Sequence, residues 1–239
     1  MRAMILAAGR GERMRPLTDT LPKPLLAVGG KPLIVWHIER LVRAGITHIL
    51  INHAWLGEKI ESHLKNGRQF GARISYSAEP QALETAGGIA AALHFFADQP
   101  FLVVNGDIWC DWDPGQAAAA ARRLGQEQKL AWLLLVDNPD HHAAGDFSLD
   151  EAGLVHAPPS MPDGSRETLT FSGIGVYRPD LFQSVPAGQP APLAPLLRRA
   201  MLQRRVVGRH YRGAWVDVGT PERLRALDRS LSDDAHARG

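Results

Sequence analysis

The run Met4-Ile-Leu-Ala-Ala-Gly-Arg-Gly11, continuing through Arg13, Pro16-Leu17-Thr18 and Pro22-Lys23-Pro24, constrains this chain more than any other segment. Met4, Ile5 and Leu6 form the apolar run of a strand buried on both faces. Ala7 and Ala8 then remove bulk, so that a nucleoside can lie against the main chain. Gly9 and Gly11 read as loop positions whose torsions other residues resist and whose amides approach phosphate oxygens closely. Arg13, Arg15 and Lys23 bring positive charge within short reach, and Pro16, Pro22 and Pro24 keep the segment from winding into one long helix. The pattern predicts a strand feeding a triphosphate-binding loop.

Two familiar glycine signatures do not fit. The dinucleotide fingerprint needs a third glycine where Met14 stands, and the Gly-Lys-Ser/Thr of the ATPase loop is absent. Beyond the loop, Ile34, Ile38, Leu41 and Val42 share a helical face over 32–44 before Gly45, and 46–53 reads as a strand. A helix over about 56–65, a strand over 73–77, a helix from Thr85 carrying Ile89, Leu93 and Phe96, and the strand Phe101-Leu-Val-Val continue the alternation. Strands over 130–136 and 168–177, a hairpin around Asp150-Glu-Ala-Gly153 and a helix opened by Thr220-Pro221-Glu222 complete it. The rhythm predicts an α/β fold, a doubly wound and mostly parallel mixed sheet, with ligands at the carboxyl ends of the strands.

At 239 residues and 45% hydrophobic content the chain can bury one substantial core, so a single domain over 1–239 is expected. Its parts would be two lobes, over about 1–110 and about 111–212, and a closing strand and helix over 213–239. A net charge of +2 without basic runs argues against nucleic acid as a partner. Cys110 is the one cysteine, which excludes an internal disulfide, and no apolar stretch approaches membrane-spanning length. No membrane partner and a cytoplasmic location are expected.

Two carboxylates stand out. Asp107 follows a buried strand at the ligand-binding edge, and Asp217 lies in Trp215-Val-Asp-Val-Gly-Thr-Pro221 just before a helix. Magnesium takes oxygen ligands and commonly uses one or two carboxylates plus substrate phosphates, so this pair suits a magnesium–nucleotide complex. A zinc site from His141, His142 and Asp146 is disfavoured, because adjacent histidines rarely converge without distorting the backbone.

The spacing Gly9-x-Gly11-x-Arg13, Pro16-Leu17-Thr18 and Pro22-Lys23-Pro24 resembles the signature of the sugar-1-phosphate nucleotidylyltransferases. Gly106-Asp107, Leu83-Glu-Thr-Ala-Gly87, Ser172-Gly173-Ile174 with Gly145, and Trp215 to Pro221 extend the resemblance over most of the chain. It implies a Rossmann-like, three-layer α/β/α fold and transfer of a nucleoside monophosphate from a nucleoside triphosphate to a sugar 1-phosphate, with Mg2+ as cofactor. Arg13, Lys23, Asp107 and Asp217 would be the catalytic set, the two aspartates holding the metal. Leu6, Ala7, Ala8, Gly9, Gly11, Arg13, Lys23, Glu79, Glu84, Thr85, Asn105 and Asp107 would line the nucleotide. Lys23, Gly145, Asp146, Ser172 and Gly173 would meet the sugar phosphate.

Departures narrow the substrates. Glu79 stands where many relatives have glutamine, and a carboxylate acceptor there suits an N–H of uracil or guanine. Glu84 replaces the motif glycine, and the usual Glu-Lys-Pro and asparagine of the sugar side give way to Ala157-Pro158-Pro159 and Phe171. Together with Ile51 to Gly57, Asp137 to His142 and Leu169 to Gly173, these departures resemble those of one branch of the family, and that resemblance implies UTP as donor, N-acetylmuramate 1-phosphate as acceptor and a role in the recycling of cell-wall sugars. His141, His142 and Arg166 are candidates for the acceptor's lactyl carboxylate. A mannose- or heptose-1-phosphate guanylyltransferase shares the loop, and a non-catalytic nucleotide-sugar-binding regulator is the alternative of another class. The C-terminal extension of many relatives is missing, which leans towards a monomer.

Overall fold

The computed structural model describes residues 1–158 and 167–237, with side chains up to 233 in the last helix. The chain opens with strand β1 (Ala3–Leu6), the one-turn helix α1 (Leu17–Thr20) and the short strands β2 (Ala27–Val28) and β3 (Lys31–Pro32). Helix α2 (Leu33–Arg43), strand β4 (His48–His53), helix α3 (Gly57–Leu64) and strand β5 (Arg73–Ala78) follow. Then come helix α4 (Glu84–Ala91), strands β6 (Phe101–Asn105) and β7 (Ile108–Cys110), helix α5 (Ala117–Gln126) and strand β8 (Ala131–Val136). Strands β9 (Phe147–Leu149), β10 (Val155–His156) and β11 (Thr168–Tyr177), helix α6 (Leu193–Leu202), strands β12 (Val206–Tyr211) and β13 (Trp215–Asp217) and helix α7 (Pro221–Ala237) complete the order.

The chain divides into two compact units. One comprises 2–82, 104–114 and 214–239, and the other Met1, 83–103 and 115–213. Strand β6 begins in the latter and ends in the former. In the first unit β1 pairs in parallel with β4, Ile5 opposite Ile51, and β4 pairs in parallel with β5, Ile51 opposite Tyr76. Parallel strands are covered on both faces, which is why Ala3, Met4, Ile5, Ile49 and Ile51 are all buried. Helix α2 buries Leu33, Ile34, Ile38 and Leu41, as its spacing requires, and ends where Gly45 turns left-handed at φ 76.

A second cluster in the same unit joins Met14, Leu26, Val28, Leu33, Trp109 and Val218 to Leu224 and Leu227 of α7. Met14, at the position that could have been a third glycine, is fully buried there. The loop is thus fastened to the core by an apolar side chain.

The other unit holds the strand order β10-β9-β11-β6, with β8 antiparallel to β11 and parallel to β12. Its aromatic core stacks Phe96 on Phe101 at 3.8 Å between ring centroids, with Tyr177 and Phe182 alongside. The long helix expected from Thr85 to Phe96 is not continuous. It starts at Glu84, ends at Ala91 and gives way to a 3-10 turn over Leu93–Phe96, followed by Ala97 and Asp98 at positive φ. That break aims Phe96 at Phe101. The sheet is mixed and mostly parallel with helices alongside, as the alternation predicted.

Candidate active site

The phosphate-loop residues lie at the carboxyl end of β1. Gly11 takes φ +70, its carbonyl accepts from Thr18 Oγ1 at 2.8 Å and from the Met14 amide at 2.9 Å, and a Cβ there would sit 3.0 Å from Thr18 Cγ2. Glycine is therefore required at 11 on two counts. Gly9 differs from the expectation: its φ is not positive, and an added Cβ would meet no protein atom within 4 Å.

The loop's cations have separate duties. Arg10 lies 3.7 Å over the Trp55 ring, donates to the Thr18 carbonyl at 2.8 Å and pairs with Asp19. Arg15, expected to add to the phosphate-facing charge, is paired with Asp19 at 2.8 Å and lies near Glu12. These pairs stiffen the loop. Arg13 is exposed and has no hydrogen-bond or ion-pair partner among the described residues, so its guanidinium is available to an anion.

Lys23 is 7% exposed, and its Nζ lies 2.9 Å from Asp107 Oδ2. A buried ammonium needs such a partner. Asp107 is joined to Asp217 through the main chain: β13 pairs antiparallel with β7, Asp217 opposite Ile108, and the Val218 amide donates to the Asp107 carbonyl at 2.9 Å. The main chains of these two aspartates, 110 positions apart in the sequence, thus meet at the end of one ribbon. Asp217 is held in turn by Arg223, whose Nη1 lies 2.8 Å from Asp217 Oδ2. Sequence reasoning missed Arg223, whose signal was a cation one turn into the helix after Thr220-Pro221.

The strand ends carry a further linkage. The Ala7 amide donates to Asn52 Oδ1 at 3.0 Å, and Asn52 Nδ2 donates to Glu79 Oε1 at 2.7 Å. Asn52 and Glu79 are both buried, on the ends of β4 and just past β5, with Leu6 at the end of β1 and Asn105 at the end of β6. Asn52 was also missed. The signal was a polar residue at the carboxyl end of an apolar strand, where α/β sheets bind ligands.

Glu84 and Thr85 belong to the other unit, at the start of α4. Glu84 has φ +57. It keeps the left-handed backbone that glycine would adopt freely, at a steric cost of about 1–2 kcal/mol. Also in that unit, Gly145 has φ +62 and Gly173 φ +81, and the register of β11 shifts between Phe171 and Gly175, around the buried Ser172. Asp146 Oδ2 accepts from the Phe171 amide at 2.8 Å while Oδ1 lies 3.0 Å from His142 Nε2. Its carboxylate therefore fastens the Gly145 loop to β11. Arg166 and Pro159 lie outside the described residues.

Beneath the ribbon, His37 is buried on α2. Its Nε2 has no hydrogen-bond partner among the described residues, and the ring otherwise meets the Ile108 backbone. Burial first, and then the Arg40 guanidinium, push its pKa down to about 4. His37 is a neutral prop beside Asp107.

Among the described residues no three His, Cys, Asp or Glu side chains are arranged to hold a metal ion, which disfavours the zinc set and any all-protein cage. Asp107 and Asp217, whose backbones are joined through the ribbon, offer the hard oxygen donors that suit magnesium, which keeps waters and takes its remaining ligands from phosphates. No helix among the described residues is long and apolar enough to cross a membrane.

Known proteins resemble this chain over nearly its whole length. Residues 2–233 match the family model described as nucleotidyl transferase. The chain is 56% identical over 226 residues to the N-acetylmuramate alpha-1-phosphate uridylyltransferase of Neisseria meningitidis serogroup B, covering 94% of this chain and 96% of that one. It is 34% identical to the protein of the same name from Caulobacter vibrioides, over 97% of each. A Bacillus anthracis protein provisionally described as a glucose-1-phosphate thymidylyltransferase superposes with a TM-score of 0.82 at 21% identity, covering 98% of this chain and 96% of that one. That last likeness shows the fold.

Two outcomes follow from the geometry. Glu84→Gly relieves the left-handed strain and should raise stability by about 1 kcal/mol in urea denaturation; an unchanged or lower midpoint would contradict the strain. For His37 the unfolded value is 6.5 and the folded value about 4, so the unfolded chain binds the extra proton between them. Stability is then complete above pH 6.5 and falls as pH drops towards 4, by an amount on the order of 3 kcal/mol. Urea midpoints between pH 7 and 4.5 should fall less steeply in His37→Gln, and equal slopes in the two proteins would contradict this assignment.

Proposed function

Because the chain belongs to the nucleotidyl transferase family, we propose that it transfers UMP from UTP to N-acetylmuramate α-1-phosphate, giving UDP-N-acetylmuramate and pyrophosphate. The observation that carries this reading is the near full-length likeness to two uridylyltransferases of that specificity. An oxygen of the acceptor phosphate attacks the α-phosphorus of UTP, the bond from that phosphorus to the α–β bridging oxygen breaks, and pyrophosphate leaves. The nucleophile is already ionised, so no protein base is needed. The obstacle is repulsion between two anions, and the protein's task is to neutralise and align them.

Each role has a residue suited to it. Arg13, without a protein partner among the described residues, would hold the leaving pyrophosphate. Lys23, fixed by Asp107, would bridge the two reacting phosphates. Asp107 and Asp217 would hold magnesium, which when bound draws charge from the α-phosphate oxygens. Glu79, with one oxygen fixed by Asn52, would accept the imide N–H of uracil, and the Gly145 loop with Ser172 and Gly173 would receive the sugar. Work in the cytoplasm as a monomer completes the proposal.

Pyrophosphate release with magnesium tests it. UTP, GTP and dTTP should each be paired with the 1-phosphates of N-acetylmuramate, N-acetylglucosamine, glucose and mannose. A strong signal confined to UTP with N-acetylmuramate 1-phosphate is expected. Preference for GTP with mannose 1-phosphate would overturn the substrate, and silence with every pair would favour a binding module.

A further inference from the structure

We propose that Arg223 balances the charge of Asp217, so that the carboxylate pair takes magnesium together with a nucleotide and not as a bare ion. The inference rests on the reading of Asp107 and Asp217 as magnesium ligands. Each carboxylate has a cation of its own: Lys23 at 2.9 Å from Asp107 and Arg223 at 2.8 Å from Asp217. Arg223 and Asp217 are 21% and 22% exposed, shielded enough for the pair to outweigh a surface ion pair. Two carboxylates therefore offer no net negative charge to a divalent cation, and Arg13 makes the surroundings positive. A magnesium–UTP complex carries negative charge and is drawn to the same place.

Gly219 is the independent sign that this arrangement is built. It is buried and its φ is not positive, so its backbone does not explain the glycine. An added Cβ would lie 2.4 Å from Arg223 Nη2 and 3.1 Å from Arg13 Nη2. The missing side chain lets two guanidinium groups approach one point, and the Asp217 carboxylate on Arg223 eases the repulsion between them. Those atoms end flexible side chains. Alanine at 219 would therefore push Arg223 away from Asp217 and leave the fold standing.

Binding of manganese as the probe, followed by loss of the free-ion electron paramagnetic resonance signal in the full chain without acceptor, tests the proposal. Wild type should bind bare manganese weakly, and with UTP should firmly take up more manganese than UTP alone does. Arg223→Gln should bind the bare ion roughly tenfold or more tightly than wild type, and Gly219→Ala should move the same way while keeping its circular dichroism spectrum. If Arg223→Gln binds bare manganese no better than wild type, Arg223 is a strut and the proposal fails. Asp217→Asn separates the two readings: weaker binding in the presence of UTP supports Asp217 as a ligand. Unchanged binding there overturns that reading and the proposal with it.

Discussion

The ion pair between Lys23 and Asp107 is the contact on which the rest of the site depends. A lysine 7% exposed needs an anion within hydrogen-bond reach, and Asp107 supplies one from 84 positions away. The pair ties the glycine loop to the turn after β6. From that turn β7 leads into the ribbon with β13, which delivers Asp217, and Met14 fastens the loop's other side to Trp109, Val218 and helix α7. One polar and one apolar contact thus fix the two sides of the loop, beside the bonds that Trp55 and Lys59 donate to the Thr18 and Thr20 carbonyls.

The charges in this region fall into two groups. Arg10 and Arg15 are balanced by Asp19 and Glu12 and serve the loop itself. Lys23 and Arg223 are paired with the carboxylates, and Arg13 stands apart. A triphosphate needs net positive charge, and a metal needs carboxylates; under the proposed function, pairing each carboxylate with a cation would let both occupy one site. Glu84 shows a similar economy. The chain accepts a strained backbone to place a carboxylate where glycine would fit freely, and such strain gathers at functional positions.

Much of this was legible in the sequence because it was local. The apolar run Met4 to Leu6, the face of α2 and the strand Thr168–Tyr177 are set by short-range pattern, and they form where that pattern placed them. What escaped was long-range. Asn52 gains its meaning from Ala7 and Glu79, and Arg223 from Asp217 across a ribbon that neither residue announces. Strand β12, Val206–Tyr211, turns polar at Arg209 and His210, so its period is weak, and pairing with β8 defines it. The helix from Thr85 was read too long because periodicity cannot register the turn that carries Phe96 to Phe101.

The most direct test of the account is a double-mutant cycle on stability with Lys23→Met, Asp107→Asn and the pair together. If the ion pair holds the loop to the strand end, each single change strands its partner. The double change should then be less destabilising than the sum of the singles, by a coupling of about 1–3 kcal/mol. Single effects that add within about 0.5 kcal/mol would contradict it, and the loop would have to be held by its apolar anchor and by the contacts of Trp55 and Lys59 with it.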